Sequence, residues 1–595
     1  MTSFTTRPTL QGTFGMVSST HWLASAAAMA ILEDGGNAFD AAVAAGFTLH
    51  VVEPHLNGPA GEVPIILAAA GQPPQVLCGQ GPAPTGATIK HYTGLGLALV
   101  PGTGPLAAAV PGAFDAWMLL LRNHGTKRLA EVLAHAIWYA EHGHPVLEDV
   151  SVTVSWMRDI FETEWTTSAS VYLPDGNPPA PGQLLKNPVL ARTWRRLITE
   201  AEAASADRDT QIDIARRAWR EGFIAEALAC AAAQPTMDTS GERHAGTLTG
   251  DDLANYAATY EDSATYTWNG WTIAKPGLWS QGPTFLQQLA LLPERLDHGT
   301  ADYYHALIEG SKLAMADREA WYGEGSETSL EALLSPVYNA ERRALIGPEA
   351  SYLLRPGSPG GRSPRLSSHV HSAAPQDVSV SIGEPTVAVT GATRGDTCHL
   401  DIVDRWGNMV AATPSGGWLQ SNPVVPELGF PLGTRLQMAW LEPGLPNSLA
   451  PGRRPRTTLS PTLALRDGEP ILAFGTPGGD QQDQWSLHFF LELVSRGDAK
   501  GCGHLDLQGA IDAPNWHQDS FPGSFYPRSM NPGGVTMESR VDPGVRAELL
   551  RRGHRISVGD PWSEGRICAV ARDPETGVLS AAANPRGMQG YAAGR

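Results

Sequence analysis

The sequence predicts an α/β sandwich, one fold assembled from two unlike halves. Three observations carry this. Helical periodicity dominates ahead of Arg355, alternating strand patterns dominate after Gly395, and a stretch rich in Pro, Ser and Gly lies between them. The strand-rich half has few helices of its own, so its sheets are expected to be shared with the first half.

Bulk properties set the bounds. A chain of 595 residues has the length of about two to four average domains, or of one large fold, and can bury a substantial core. Lys plus Arg total 43 against 61 Asp plus Glu, for a net charge of −18, a balance that repels nucleic acid and anionic membrane. The five cysteines, Cys78, Cys230, Cys398, Cys502 and Cys568, are scattered and never spaced as a metal knuckle, so they read as free thiols. The N-terminus has no apolar h-region, and no apolar run reaches the roughly 18 residues of a membrane helix. A soluble, cytoplasmic protein without membrane or nucleic-acid partners is the expectation.

In chain order, Trp22, Ala26 and Ala30 recur every four residues behind a Ser/Thr cap, and Gly35–Gly36 stops that helix. Phe39, Val43 and Phe47 repeat the spacing in a second helix, and its many alanines imply close packing against a neighbouring layer. PIILAAAG and QVLCGQG read as strands. AFDAWMLLLRNHG and LAEVLAHAIWYAEHG are helices closed by glycine, and residues 188–233 form another helical block. LTGDDLANY opens a change from helical to alternating period, and DYYHALIEGSKLAMADREAWYG is helical again. Residues 355–395 carry too little apolar surface to order themselves, and at least their first half is expected to be mobile. Beyond them ILAFGTPGG, VTMES and ICAVARDPETGVLSAAANPRG carry strand signals.

The most informative stretch is GDTCHLDIVDRWGNMVAATPSGGW, residues 395–418. A loop over Asp404–Asn408 closes a hairpin in which Val403 faces Met409, and counting back up the ladder sets Thr397 opposite Ser415. A threonine thus opens a well-patterned strand directly after a flexible segment, the arrangement of a chain to be cut before Thr397. An N-terminal threonine carries an α-amine with a pKa near 8, which acts as its own general base. Cys398 competes as nucleophile, but strand alternation puts it on the opposite face, toward the core. His399 shares the face of Thr397 and reads as a structural histidine.

GMVSSTHWLASAAAMAILEDGGNAFDAAVAA, LTGDDLANY, ALIEGSKLAMADR, DTCHLDIVDRWGN, TTLSPTLALRDG, FGTPGGD and AAANPRG together resemble the blocks of the γ-glutamyltranspeptidases, in that family's order and over nearly the whole chain. The resemblance implies the four-layer αββα sandwich of N-terminal-nucleophile hydrolases. It also implies a precursor that cleaves itself between Asp396 and Thr397 into a helix-rich segment, 1–396, and a strand-rich catalytic segment, 397–595, which stay together as a heterodimer. The family keeps its nucleophile seven residues before the aspartate of VVD, which selects Thr397. Ser415 stands where the family has a second threonine, Gly478 and Gly479 match its oxyanion glycines, and Thr457 and Thr458 match two serines that touch the substrate carboxylate.

Other positions depart from the family. Gln80 stands where an arginine clamps the glutamyl α-carboxylate, Ala439 where an acid holds the ammonium, and Gly417 where an asparagine follows the second hydroxyl. Glu62 and Pro64 replace small residues after VVEPH. Losing an ion-pair partner on each side costs several kcal/mol of discrimination. Arg435, Arg453, Arg454 and Arg456 offer either recognition of an acidic acyl group or structural pairing. No GxSxG elbow, Walker loop or HExxH occurs, and HVH at His369 and His371 lies in the linker, so no metal and no cofactor are expected. The reading is a self-processing amide hydrolase or acyltransferase acting on a small-molecule amide with altered specificity. A true γ-glutamyl hydrolase/transpeptidase and a non-catalytic binding paralogue are the alternatives.

Overall fold

A computed structural model describes residues 4–293, 296–371, 397–500 and 505–595. Two seven-stranded antiparallel sheets stack face to face. The first runs in the order Tyr591–Gly594, Gly15–Ser19, Leu400–Asp404, Met409–Ala412, Val63–Ala68, Gln75–Gly79, Thr259–Asp262. The second runs Leu10–Gly12, Leu579–Ala583, Cys568–Arg572, Glu469–Gly475, Thr462–Arg466, Trp271–Lys275, Ala264–Trp268. Strands from before and after Thr397 are neighbours in both sheets. Neither half could close its sheet alone.

Alternation explains why these strands are apolar on both faces. Val17, Ile65, Leu400, Ile402 and Val410 face a helical layer. Their neighbours Met16, Ile66, Val403, Met409 and Ala411 meet Leu463, Ala473 and Val570 between the sheets. The helices Trp22–Glu33, Ala38–Val52, Ala113–His124 and Leu129–His142 cover the first sheet, with Pro188–Ala204, Arg208–Glu221 and Phe223–Ala232 joining the same core. Pro283–Leu291, Ala301–Trp321, Gln482–Lys500 and Pro543–Arg551 lie on the second, where VTMES adds to a separate three-stranded sheet, Trp516–Gln518, Gly534–Glu538 and Arg555–Gly559. The order of layers is αββα, as the resemblance implies. No described helix is long and apolar enough to cross a membrane.

Two details differ from expectation. The cap ahead of Trp22 is His21, whose Nδ1 accepts from Leu23 N at 3.0 Å, and not a Ser/Thr hydroxyl. Residues 355–371, expected to begin a mobile linker, are tied to the body. Arg355 pairs with Glu309 (3.1 Å), Gly357 N donates to Asp317 (2.6 Å), Trp321 Nε1 donates to Gly357 O (3.0 Å), Ser367 donates to Glu442 (3.0 Å), and Pro359 is buried. Polar anchors hold this stretch, which an apolar tally does not register. The rest of the linker and Asp396 lie outside the described residues, as does Cys502.

The hairpin has the counted register. Val403 pairs with Met409, and Thr397 bridges to Ser415. Asp404 fixes its turn: its carboxylate accepts from Trp406 N (3.0 Å), Asn408 N (3.0 Å) and Asn408 Nδ2 (2.8 Å), and from Ala38 N (2.9 Å) at the start of the second helix. Asp404→Ala strands four donors at once, one buried and three half-buried, and we expect a loss of about 3 kcal/mol in urea unfolding. A loss below about 1 kcal/mol would show that the turn holds without it.

Candidate active site

Thr397, His399 and Asp401 occupy one face of the strand, between the sheets, and Cys398 the other. Thr397 is buried, and its Oγ1 donates to Ser415 Oγ at 3.3 Å across the ladder. Below it, His399 sits 2.9 Å from Thr413 Oγ1 and 2.9 Å from Asp401 Oδ1, so both ring nitrogens are engaged. Burial raises the Asp401 carboxyl to about 6. Both ring nitrogens of this histidine are thus taken up by its own and the neighbouring strand.

Cys398 points into the helical layer. Its thiol donates to Glu53 at 2.9 Å and accepts from Asn57 Nδ2 at 3.1 Å, and burial followed by the Glu53 charge pushes it well above the usual thiol range. Glu53, at the end of Ala38–Val52, also accepts from Thr20 Oγ1 (2.7 Å) and from Gln589. Burial raises its carboxyl from 4.5 to about 7. A raised folded-state pKa contributes stability that is full below the unfolded value and lost as pH climbs through the folded one. The window is therefore about pH 4.5 to 7. Glu53→Gln is expected to flatten the fall in unfolding free energy across that window; urea titrations at its two ends measure it, and an unchanged pH slope would contradict the assignment.

The second hydroxyl is held from behind. Ser415 exchanges backbone hydrogen bonds with Glu62 (2.9 and 3.0 Å), and its Oγ accepts from Arg435 Nη2 at 3.1 Å. Arg435 forms an ion pair with Glu62, both buried, and its guanidinium lies 5.5 Å from the Trp418 ring and 5.8 Å from Phe525. Gly417 has φ +63°, and a Cβ there would sit 3.0 Å from Gly61 N and 3.2 Å from Ala60 C. The close run of residues 58–61 past 415–417 is tight around Gly417, so the asparagine of the family pattern would require these neighbours to give. Glu62 and Gly417 are thus parts of one local arrangement.

The TPGG loop comes from the opposite sheet. Its strand ends at Gly475, whose Cα hydrogen side faces the His399 ring so closely that a Cβ would fall 2.3 Å from it, which brings the loop to the Thr397 end of the sandwich. Gly478 (φ +124°) and Gly479 (φ +52°) adopt left-handed backbone, and a Cβ on Gly478 would meet the Trp485 ring at 2.1 Å. Gln281 Nε2 holds Gly479 O at 3.2 Å, Arg318 donates to Gln281 Oε1 at 2.9 Å, and Arg318 also pairs with Asp480, which accepts from Ser524 N at 2.8 Å. None of these braces stands out in the sequence, since their partners are far apart along the chain.

The remaining candidates divide. Thr457 pairs by backbone with Trp279 and Gln281 (2.9 Å each), and the buried Thr458 Oγ1 has no partner among the described residues. Gln80 is buried with Oε1 unpartnered among them. Ala439 packs with Ala83, Tyr92, Leu106 and Leu436 in an apolar cluster. Arg454 is paired with Glu261 and Glu324, and Arg456 with Glu319. No group of His, Cys, Asp and Glu among the described residues has the geometry of a metal site.

A double antiparallel sheet between helical layers, with a hydroxyl at the head of a central strand, defines the class of N-terminal-nucleophile hydrolases. Comparison with known proteins narrows the class. The profile described as Gamma-glutamyltranspeptidase matches residues 24–594, and the chain belongs to the γ-glutamyltranspeptidase family. The chain is 29% identical to the oxamate amidohydrolase proenzyme of Klebsiella pneumoniae, over 98% of each chain. It is 28% identical to the acylase ACY 1 proenzyme of Pseudomonas sp. strain SE83, over 96% of this chain and 92% of that one. Among solved structures, LmbA2991HD is 71% identical with TM-score 0.95 over all of both chains. The cephalosporin acylase from Bacillus halodurans is 27% identical with TM-score 0.81, covering 100% of this chain and 98% of that one. The chain is therefore an enzyme of the self-processing, N-terminal-nucleophile hydrolase type.

Proposed function

We propose that this enzyme cuts itself between Asp396 and Thr397 and then uses Thr397 to cleave an amide whose acyl part is not γ-glutamyl. In the first step the Thr397 hydroxyl attacks the Asp396 carbonyl, the peptide nitrogen leaves as the free α-amine, and water hydrolyses the resulting ester. In the second the α-amine takes the hydroxyl proton, Oγ1 attacks the substrate carbonyl, and the ammonium returns that proton to the leaving amine. Backbone N–H groups of the Gly478–Gly479 loop receive the oxyanion, and Ser415 steadies Oγ1. Water, or an amine, then takes the acyl group. Thr457 and Thr458 offer hydroxyls to the substrate, and no cofactor takes part.

The observation that carries this reading is the Thr397 to Ser415 contact of 3.3 Å at the head of the strand, with Cys398 turned away. Altered specificity rests on Gln80 and Ala439: neither supplies the charge that a zwitterionic glutamyl head needs, and Ala439 lies in apolar packing. The relatives include an acylase and an oxamate amidohydrolase beside glutathione hydrolases, so the family accommodates a non-glutamyl donor and the pocket residues carry the choice. Turnover of a panel of p-nitroanilides tests it. The γ-glutamyl anilide is expected to show kcat/KM at least about tenfold below the best of the short oxo-acyl and dicarboxylic acyl anilides. A γ-glutamyl anilide at the head of the panel would contradict the pocket argument.

A further inference from the structure

Several buried features lie outside the proposed chemistry. The histidines His50, His55 and His144 are buried with ring nitrogens unpartnered among the described residues, but they converge on no metal geometry. The His399–Asp401–Thr413 set takes up both ring nitrogens of His399 and leaves Asp401 Oδ2 unpartnered among the described residues, with no second group converging on it. The Arg435–Glu62 pair differs, because it ends on the hydroxyl that touches the nucleophile and still has bonding capacity.

Arg435 has three nitrogen donors in one plane. Nε and Nη2 face Glu62, and Nη2 also reaches Ser415 Oγ. Among the described residues Nη1 has only the Met438 sulfur, at 3.4 Å, a weak acceptor for a buried cationic donor. Leaving such a donor poorly satisfied in a buried site is costly unless something else binds it. Trp418 and Phe525 lie beside the guanidinium. Two hydrogen bonds separate this guanidinium from the Thr397 hydroxyl. A substituent close to the reacting carbonyl of an acyl donor lies at that range. Of the other arginines near the site in sequence, Arg454 and Arg456 are taken up by Glu261, Glu324 and Glu319.

We infer that Arg435 is a specificity residue: its Nη1 edge donates to an acceptor oxygen carried on the acyl group of the donor, a keto or carboxylate oxygen near the reacting carbonyl. Glu62 is the counter-ion that holds the guanidinium in place and sets how much negative charge the subsite accepts. This rests on Thr397 acting on an acyl donor as proposed above. It supplies an acceptor-reading group to a site whose family clamp is missing at Gln80.

The test uses three p-nitroanilides matched in size, with a plain alkanoyl, a keto-substituted or a carboxylate-bearing acyl group, on chains confirmed by intact mass to be cleaved. For Arg435→Lys and Arg435→Gln, kcat/KM for the two oxygen-bearing donors is expected to fall at least about tenfold relative to the alkanoyl donor, chiefly through KM. Glu62→Gln is expected to shift preference toward the carboxylate donor over the keto donor, because the subsite then carries a net positive charge. Met438→Gln places a strong acceptor beside Nη1 and is expected to weaken both oxygen-bearing donors; it decides the matter where the Arg435 variants fail to fold or cleave. Equal loss on all three donors in the variants that cleave would overturn the inference and leave Arg435 as a support for Ser415. Wild-type chain that is cleaved but acts on none of the anilides would instead count against the parent reading.

Discussion

Thr397→Ala is expected to remain a single polypeptide of residues 1–595 under denaturing conditions, with amide turnover lowered by about 10⁴-fold or more. The size of the effect follows from the double duty of one side chain. The hydroxyl makes the ester that opens the chain, and the opening creates the α-amine that later takes its proton. Removing it deletes nucleophile and base together. The variant should fold, since Thr397 sits at the head of its strand and the ladder Leu400–Asp404 against Gly15–Ser19 and Met409–Ala412 does not use its side chain. A Thr397→Ala chain that still separates into two pieces would place the nucleophile elsewhere, and Cys398→Ala would then be the variant to examine. The structure gives Cys398→Ala little to remove but packing and its bonds to Glu53 and Asn57.

Gly478→Ala is expected to carry the second largest effect, a fall in kcat of about 10² to 10³-fold with a modest change in KM. Left-handed backbone at φ +124° strains any L side chain, and the added methyl would be driven into Trp485, a fully buried ring, at 2.1 Å. The loop must shift, and the N–H groups proposed to receive the oxyanion shift with it. Steady-state kinetics of cleaved protein measure this. An unchanged kcat would mean that the oxyanion is held by other donors.

Much of this was legible in the chain because it depends on local counting. A hairpin register follows from the position of its turn, so Thr397 against Ser415 could be reached from the Asp404–Asn408 loop alone, and alternation then separated Thr397 from Cys398. Both-face burial of the strands also shows as apolar runs such as PIIL. What stayed hidden was long-range. Glu62 and Arg435 are 373 residues apart, and each alone looks like an oddity or a surface charge. Arg318, Gln281 and Asp480 come from a helix, a loop and the glycine turn, and nothing in their spacing announces that they brace Gly479. Residues 355–371 read as mobile because composition counts apolar surface, whereas their anchors are a salt bridge and half-buried hydrogen bonds between backbone and side chains. His21 as a cap was missed because imidazole is a rare acceptor at that position.

The central claim is that the chain makes its own catalyst by exposing one residue. Intact mass and N-terminal sequencing of the purified protein, separated under denaturing conditions, test it most directly. The account predicts two species, residues 1–396 and 397–595, with the smaller one beginning Thr-Cys-His-Leu. One uncut chain that nevertheless turns over amides, or a fragment that begins at Cys398 or any other residue, would contradict it.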